Sequence, residues 1–313
     1  MKTAAVLLTL LTANLMAAQV QSSATAPALP SSPQAGSPTA ARPPVQTRTR
    51  EEYRAYQVGI ANEQNPEAME RAADDFAAKF PTSEVRVLLY RAAMSSYQNA
   101  GNPEKMISMG FKVLAIDKDD PEALIGIAEI LEERTGPTDL DRQQRSEQVV
   151  EYAAHALKTL DTDLAVPAGT SPDRVEAYKK YLRSTALAIL GTIYYKQEHY
   201  PEAEVKLRNA IDADAVNPDP VVVLRLALAL DQQKKYAEGL DQANRAVELT
   251  EESTALGRMA RNERDRLLVQ AGGSARPATT VPVVAPGTPN QAPPQSATPS
   301  NQATPDPPSS PAH

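Results

Sequence analysis

The chain has 313 residues, with 32 basic and 39 acidic side chains, a formal net charge of −7 and no cysteine. The lack of cysteine excludes disulfides, thiolate metal sites, a cysteine nucleophile and a lipidated N-terminal cysteine. The mildly acidic balance argues against a nucleic-acid partner, whose phosphates need a basic face.

In chain order, Lys2 is followed by an apolar run from Ala4 to Leu15 and small residues at Ala17 and Ala18. This reads as a secretory signal peptide over residues 1–18, too short for a transmembrane helix with normal flanks; the alternatives are a cut after Ser22 and retention as an uncleaved N-terminal anchor. The chain is therefore expected to be exported, to the periplasm or the extracellular space, with no integral membrane segment after cleavage. Residues 19–47 are rich in Pro, Ser and Ala and are expected to form a disordered linker. Residues 271–313 carry only Arg276 and Asp306 as charges and no aromatic residue. With so little apolar surface to bury, they are expected to be a disordered, proline-rich tail. All tyrosines and phenylalanines lie between Tyr53 and Tyr236, which confines the expected core to the segment 48–270.

Within that segment, helical periodicity alternates with short breaks. A first set, Tyr56, Gln57, Ile60, Met69, Ala73 and Phe76, ends in KFPTS at 79–83. A second comprises Ala93, Met94, Tyr97, Met106, Gly110, Val113 and Leu114, with the methionines 94, 106 and 109 expected in the core. In a third, Ile127, Ala128 and Leu131 lie 63 residues before their counterparts in the fourth, but Val149, Ala153, Ala156 and Leu157 lie 54 before. The difference implies a nine-residue insertion near RTGPTDLDRQQ, with Gly136–Pro137 ending a helix. A loop is expected over Asp161–Ser171, followed by Ser171, Pro172 and Asp173 as N-cap and first turn of a helix running to about Gln197.

The fourth set is the most regular. Leu187, Leu190, Gly191 and Tyr194 form one stripe, the turn 198–201 follows, and Ala203, Leu207, Ala210 and Ile211 form a second stripe. Gly191 is costly within a helix, which predicts close approach of a partner helix there. The pattern recurs 36 residues later at Leu226, Ala227, Leu230, Tyr236, Gly239, Ala243 and Ala246. A charged terminal segment, 252–270, has Met259, Leu267 and Leu268 as its apolar points and is expected to cap the array.

These residues resemble the tetratricopeptide repeat (TPR), in which small, aromatic and large apolar positions recur over two helices. The resemblance implies an all-α fold, an α-solenoid of about five TPR-like antiparallel helix pairs with a C-terminal capping helix, flanked by disordered tails. The KFPTS ending resembles repeats of periplasmic outer-membrane assembly proteins.

No sequence motif points to catalysis. The only histidines are His155, His199 and His313, at no metal-binding spacing, and the adjacent carboxylate pairs do not face one another on a helix. No enzymatic activity, metal, cofactor or small-molecule substrate is expected. In the TPR family the first helices of each pair line a concave groove that binds protein or peptide partners. By that resemblance the partner-binding residues here are Arg54, Asn62, Arg91, Gln98, Asn99, Glu129, Tyr195 and Arg225. Val58, Ser95, Glu133, Thr192, Lys196 and Asp231 are their expected neighbours in the groove. The residues with which some TPR domains clamp a C-terminal carboxylate are not reproduced as a set. Tyr178 and Tyr181 extend beyond the standard repeat and are expected as an additional contact patch. The resulting expectation is a non-enzymatic scaffold or adaptor in the cell envelope. The alternatives are an envelope assembly component and a structural spacer.

Overall fold

The computed structural model describes residues 42–272, which contain eleven helices and no strand. The expected signal peptide, residues 19–41 of the linker, and the tail beyond Gly272 lie outside the described residues. The helices are α1 (Arg50–Ile60), α2 (Pro66–Lys79), α3 (Val85–Asn99), α4 (Pro103–Ile116), α5 (Pro121–Glu133), α6 (Arg142–Thr159), α7 (Pro172–Lys196), α8 (Tyr200–Ala213), α9 (Pro220–Gln232), α10 (Tyr236–Glu248) and α11 (Ala255–Gln270).

Local chemistry sets most of the starts. Asn65, Asn102, Asp120 and Asp219 are N-caps whose side-chain oxygens accept a backbone N–H of the first turn, and each is followed directly by proline. A cap satisfies an otherwise orphaned donor, and proline at the first helical position loses no hydrogen bond and brings its φ already set. Asn102 and Asp120 thus fix where the two helices flanking 117–119 begin. Two tight turns, before α8 and α10, place the non-glycine residues Glu198 and Lys234 at φ 64° and 60°. They occupy equivalent positions, so the same strained reversal serves both pairs.

Each helix packs on the next in the chain. In addition α1 packs on α3, α5 on α7, α7 on α9 and α9 on α11, so the first helices of successive pairs stack. This is an α-solenoid of five antiparallel pairs closed by α11, as the repeat pattern implies. Its core runs along the array as successive apolar clusters, the first centred on Met69, Leu89, Met94 and Met106 and the third on Leu207, Leu226 and Leu230. The three methionines 94, 106 and 109 are all buried.

One core position shows how the repeats stay in register while their residues vary. In the fourth pair a Cβ added at Gly191 would lie 2.6 Å from Leu207 Cγ. In the second pair the sizes are exchanged: Met94 occupies the position of Gly191 and Gly110 that of Leu207. A Cβ on Gly110 would sit 3.5 Å from Met94 Sδ and 2.9 Å from Ile127 Cγ1. The third and fifth pairs place alanine at both positions, Ala128 with Ala153 and Ala227 with Ala243. The large–small exchange keeps the volume between the helices nearly constant, which close-packed interiors require. Gly191→Ala should therefore lose about 1–3 kcal/mol to overpacking, against a gain of about 1 kcal/mol in helix propensity. Leu207→Ala alone should lose about 2–5 kcal/mol. Together the two reproduce the alanine pair of the fifth repeat, and denaturant titration should show a combined loss smaller than the sum. Strict additivity would mean the two positions are not coupled.

The array is interrupted where the period fails. The insertion forms a loop over 134–141, held by the Asp139 carboxylate, which accepts from the Gly136 N–H at 2.8 Å and pairs with Arg145 at 3.1 Å. The loop 161–171 buries Leu164, Ala165 and Val166. It also carries an element that composition hides. Residues 42–47, expected within the disordered linker, lie extended along this loop, and Val45 forms a parallel bridge with Pro167. Averaged composition marks this stretch as linker because of its prolines. Those prolines instead hold Arg42 and Pro43 in the extended region, and Val45 fills an apolar socket at 4 % exposure.

Two apolar expectations need correction. Met259 is 56 % exposed, and Ala260 and Leu267 make the buried face of α11. Tyr178, expected on the surface, is 3 % exposed. The extra turns of α7 press it against α5 instead of presenting it to solvent.

Candidate functional site

The helices α3, α5 and α7 are the first members of the second, third and fourth pairs, and an open recess lies between them. Its wall on α3 is Met94, Ser95, Gln98 and Asn99; on α5 it is Glu122, Ile125, Gly126 and Glu129; on α7 it is Tyr178, Tyr181, Leu182 and Thr185. Gly126 keeps the floor low, since a Cβ there would approach Met106 Cε and Met94 Cε to 3.1 and 3.2 Å. Three expected binding residues, Gln98, Asn99 and Glu129, converge here, with Ser95 beside them.

Glu129 dominates the recess electrostatically. Its carboxylate accepts from Gln98 Nε2 at 3.2 Å. Burial pushes it up to about 7, and the nearby carboxylates of Glu133 and Glu132 push the same way, while the Gln98 hydrogen bond pulls it down. Glu132 is engaged elsewhere, paired with Lys196 Nζ at 2.7 Å. Lys196, expected in the groove, also donates to the carbonyls of Glu132 and Thr135 at 2.6 and 3.1 Å and so anchors the insertion loop. Opposite Glu129, Tyr178 and Tyr181 stack with centroids 6.2 Å apart. The recess thus offers a partly desolvated carboxylate, an amide and a tyrosine face, a combination suited to a cationic side chain.

Arg91 is not available to a partner. It is 5 % exposed, ion-paired with Glu122, 3.7 Å from Asp120 Oδ2, and donates to the Ala165 carbonyl. The loop 161–171 folds over it, so this expected groove cation is a structural one. Asp120 is fully buried; burial pushes its carboxyl up and Arg91 pulls it down.

The other expected residues fall into separate places. Arg54 and Val58 are exposed on α1. Asn62 spends its amide at the end of α1, donating to the Val58 and Gly59 carbonyls at 2.8 and 3.2 Å. Further along, Arg225 donates to Thr192 Oγ1 at 2.6 Å, and Tyr195 packs edge-on against Tyr200 at 5.5 Å. Thr192 and Asp231 are buried, the latter paired with Arg266 at 2.5 Å. Neither group joins the recess. Sequence reading missed Tyr181 and Thr185 as members of the same site as Gln98 and Glu129. The signal was present in the overlong first helix of the fourth pair, whose extra turns bring them to α5.

His155 Nε2 lies 2.8 Å from Asp119 Oδ1. Among the described residues no group of three His, Asp or Glu could hold a metal ion, and no helix is long and apolar enough to cross a membrane.

No family model matches the chain. No curated protein matches it either. Among solved structures it is similar to TTC0263, described as a thermophilic TPR protein of Thermus thermophilus, at 13 % identity and TM-score 0.44, covering 68 % of this chain and 98 % of that one. It is also similar to PilF of Pseudomonas aeruginosa, at 18 % identity and TM-score 0.46, covering 70 % and 89 %. A third likeness is to Acl4, the assembly chaperone of RpL4 (residues 1–338), at 13 % identity and TM-score 0.34, covering 72 % and 99 %. At these scores none of the three carries an argument about partner or activity. The repeated helix pairs of this chain, with their recurring small and large positions, are what make it a TPR-like α-solenoid.

Proposed function

We propose that the chain is a non-enzymatic interaction scaffold, exported to the cell envelope, that binds a basic side chain of a protein partner in the recess between α3, α5 and α7. The observation that carries this reading is the convergence of Gln98, Asn99 and Glu129 with Tyr181 on one open recess of the first-helix face. Among the described residues no basic side chain forms an ion pair with Glu129, and a lysine or arginine would offset the cost of burying its charge. The export half of the reading is supported only by the N-terminal pattern of residues 1–18.

Site-specific photo-crosslinking in the native envelope tests it. A photoreactive residue at Asn99, exposed at the rim, should yield discrete adducts, and one at Leu140, exposed on the insertion loop, should not. Adducts that survive Glu129→Gln undiminished would remove the recess from the interaction. The purified envelope form should begin at Gln19; a chain retaining Met1 and fractionating with cytosolic markers would overturn export.

A further inference from the structure

Residues 42–47 belong to no repeat, yet they are held at three kinds of contact. The Arg42 N–H donates to the Thr162 carbonyl at 2.7 Å, the Val45 N–H donates to the Val166 carbonyl at 2.9 Å, and the Ala168 N–H returns to the Val45 carbonyl at 3.1 Å. Val45 is buried in the cluster that contains Ala165. The Arg42 guanidinium pairs with Asp117 at the end of α4 and lies 3.5 Å from Glu84 at the start of α3. Pro44 and Gln46, flanking Val45, are exposed.

This is how an extended peptide is read when it adds to a main-chain edge: backbone hydrogen bonds give the register, and pockets for particular side chains give the specificity. Here the edge is 162–168, one pocket is acidic and the other apolar, and they are three residues apart along the bound segment. The segment lies outside every helix pair and joins the array through Val45 and Arg42. Three main-chain bonds and one buried side chain fix it. Because it is tethered to α1 only a few residues on, it holds the site at a high effective concentration.

We propose that the loop 161–171, with Asp117 and Glu84, is a peptide-docking site for extended partner segments in which an arginine is followed three residues later by a β-branched apolar residue. Residues 42–47 occupy it in cis as a displaceable ligand. The site is distinct from the Glu129 recess, and each can fail independently of the other.

The test uses the full chain carrying Arg42→Glu and Val45→Asn, which empties the site, and a labelled synthetic peptide of residues 41–47 followed by fluorescence anisotropy. The emptied chain should bind this peptide at least tenfold more tightly than the unaltered chain. Replacing the peptide's arginine by glutamate, or adding Asp117→Asn to the emptied chain, should weaken binding at least tenfold. An emptied chain of unchanged helicity that ignores the peptide, or binds both peptides equally, overturns the proposal. So does an unaltered chain that binds as tightly as the emptied one. Should the double variant lose helicity, hydrogen exchange on the unaltered chain decides. The Val45 and Ala168 amides should exchange at least 100-fold faster than interior amides of α3; equally slow exchange means the segment is a fixed part of the fold.

Discussion

Arg91→Met should lower the unfolding free energy by about 3–5 kcal/mol, the cost of breaking a buried ion pair from one side. Arg91 faces both Glu122 and Asp120, each nearly or fully buried, and closes the contact to the loop at Ala165. Removing the guanidinium leaves two carboxylates in an apolar setting with nothing to offset their desolvation. A typical domain has a margin of about 5–15 kcal/mol, so the loss is large. In a solenoid it should concentrate in the repeats that share the contact. Hydrogen exchange should show α3, α5 and the loop 161–171 opening while α9 to α11 stay protected. Adding Glu122→Gln should restore much of the loss, because it removes one uncompensated charge and leaves Asp120 to accept from Ala123 N–H at 2.9 Å as the N-cap of α5. The loss should also shrink as pH falls and the stranded carboxylates take up protons. Uniform destabilisation of all five pairs, or no rescue by the second substitution, would count against this account.

Glu129→Gln should do the opposite at neutral and alkaline pH. The folded chain holds this carboxyl at about 7, above its ordinary value of 4.5. Between those values the folded state keeps a proton that the unfolded state has released, so stability falls as pH rises through that window. Below about 4.5 both states are protonated and the group has no effect; above about 7 the full penalty is present. At roughly 1.4 kcal/mol per pH unit, this amounts to as much as about 3 kcal/mol. Thermal melts should show the glutamine variant more stable than the unaltered chain at pH 8, with the difference gone by pH 4.5. Glu132 and Glu133 on the same helix, Gln98 on α3 and Tyr181 on α7 face this group and remain in both proteins. A variant equally stable at all pH values would mean the carboxyl is well solvated. The same linkage ties stability to function: a bound basic side chain should remove the penalty and release a proton, so partner binding should strengthen from pH 5 to pH 8.

Both effects lie where the repeat pattern was least informative. The pairing of helices was legible because its signals are local. Proline after an Asn or Asp cap, a 3.6-residue apolar period and small residues at Gly191 and Ala227 all act within a few residues. The nine-residue insertion and the long α7 were legible for the same reason, as failures of a counted period. Gln98, Asn99 and Glu129 line one recess on the first helices, the face on which the TPR resemblance places them. Arg91 shares that face and periodicity, yet it is buried. The difference comes from Ala165, 74 residues away in the chain.

The sequence by itself determined the number of helix pairs and the residues that stack them, because each repeat touches only its neighbours and carries its own instructions. The tertiary structure decided which face residues remain open. It folded the loop 161–171 over Arg91, laid residues 42–47 along that loop, and brought α7 against α5 so that Tyr181 and Glu129 share one recess. Those contacts join segments far apart in the chain, and no local period encodes them.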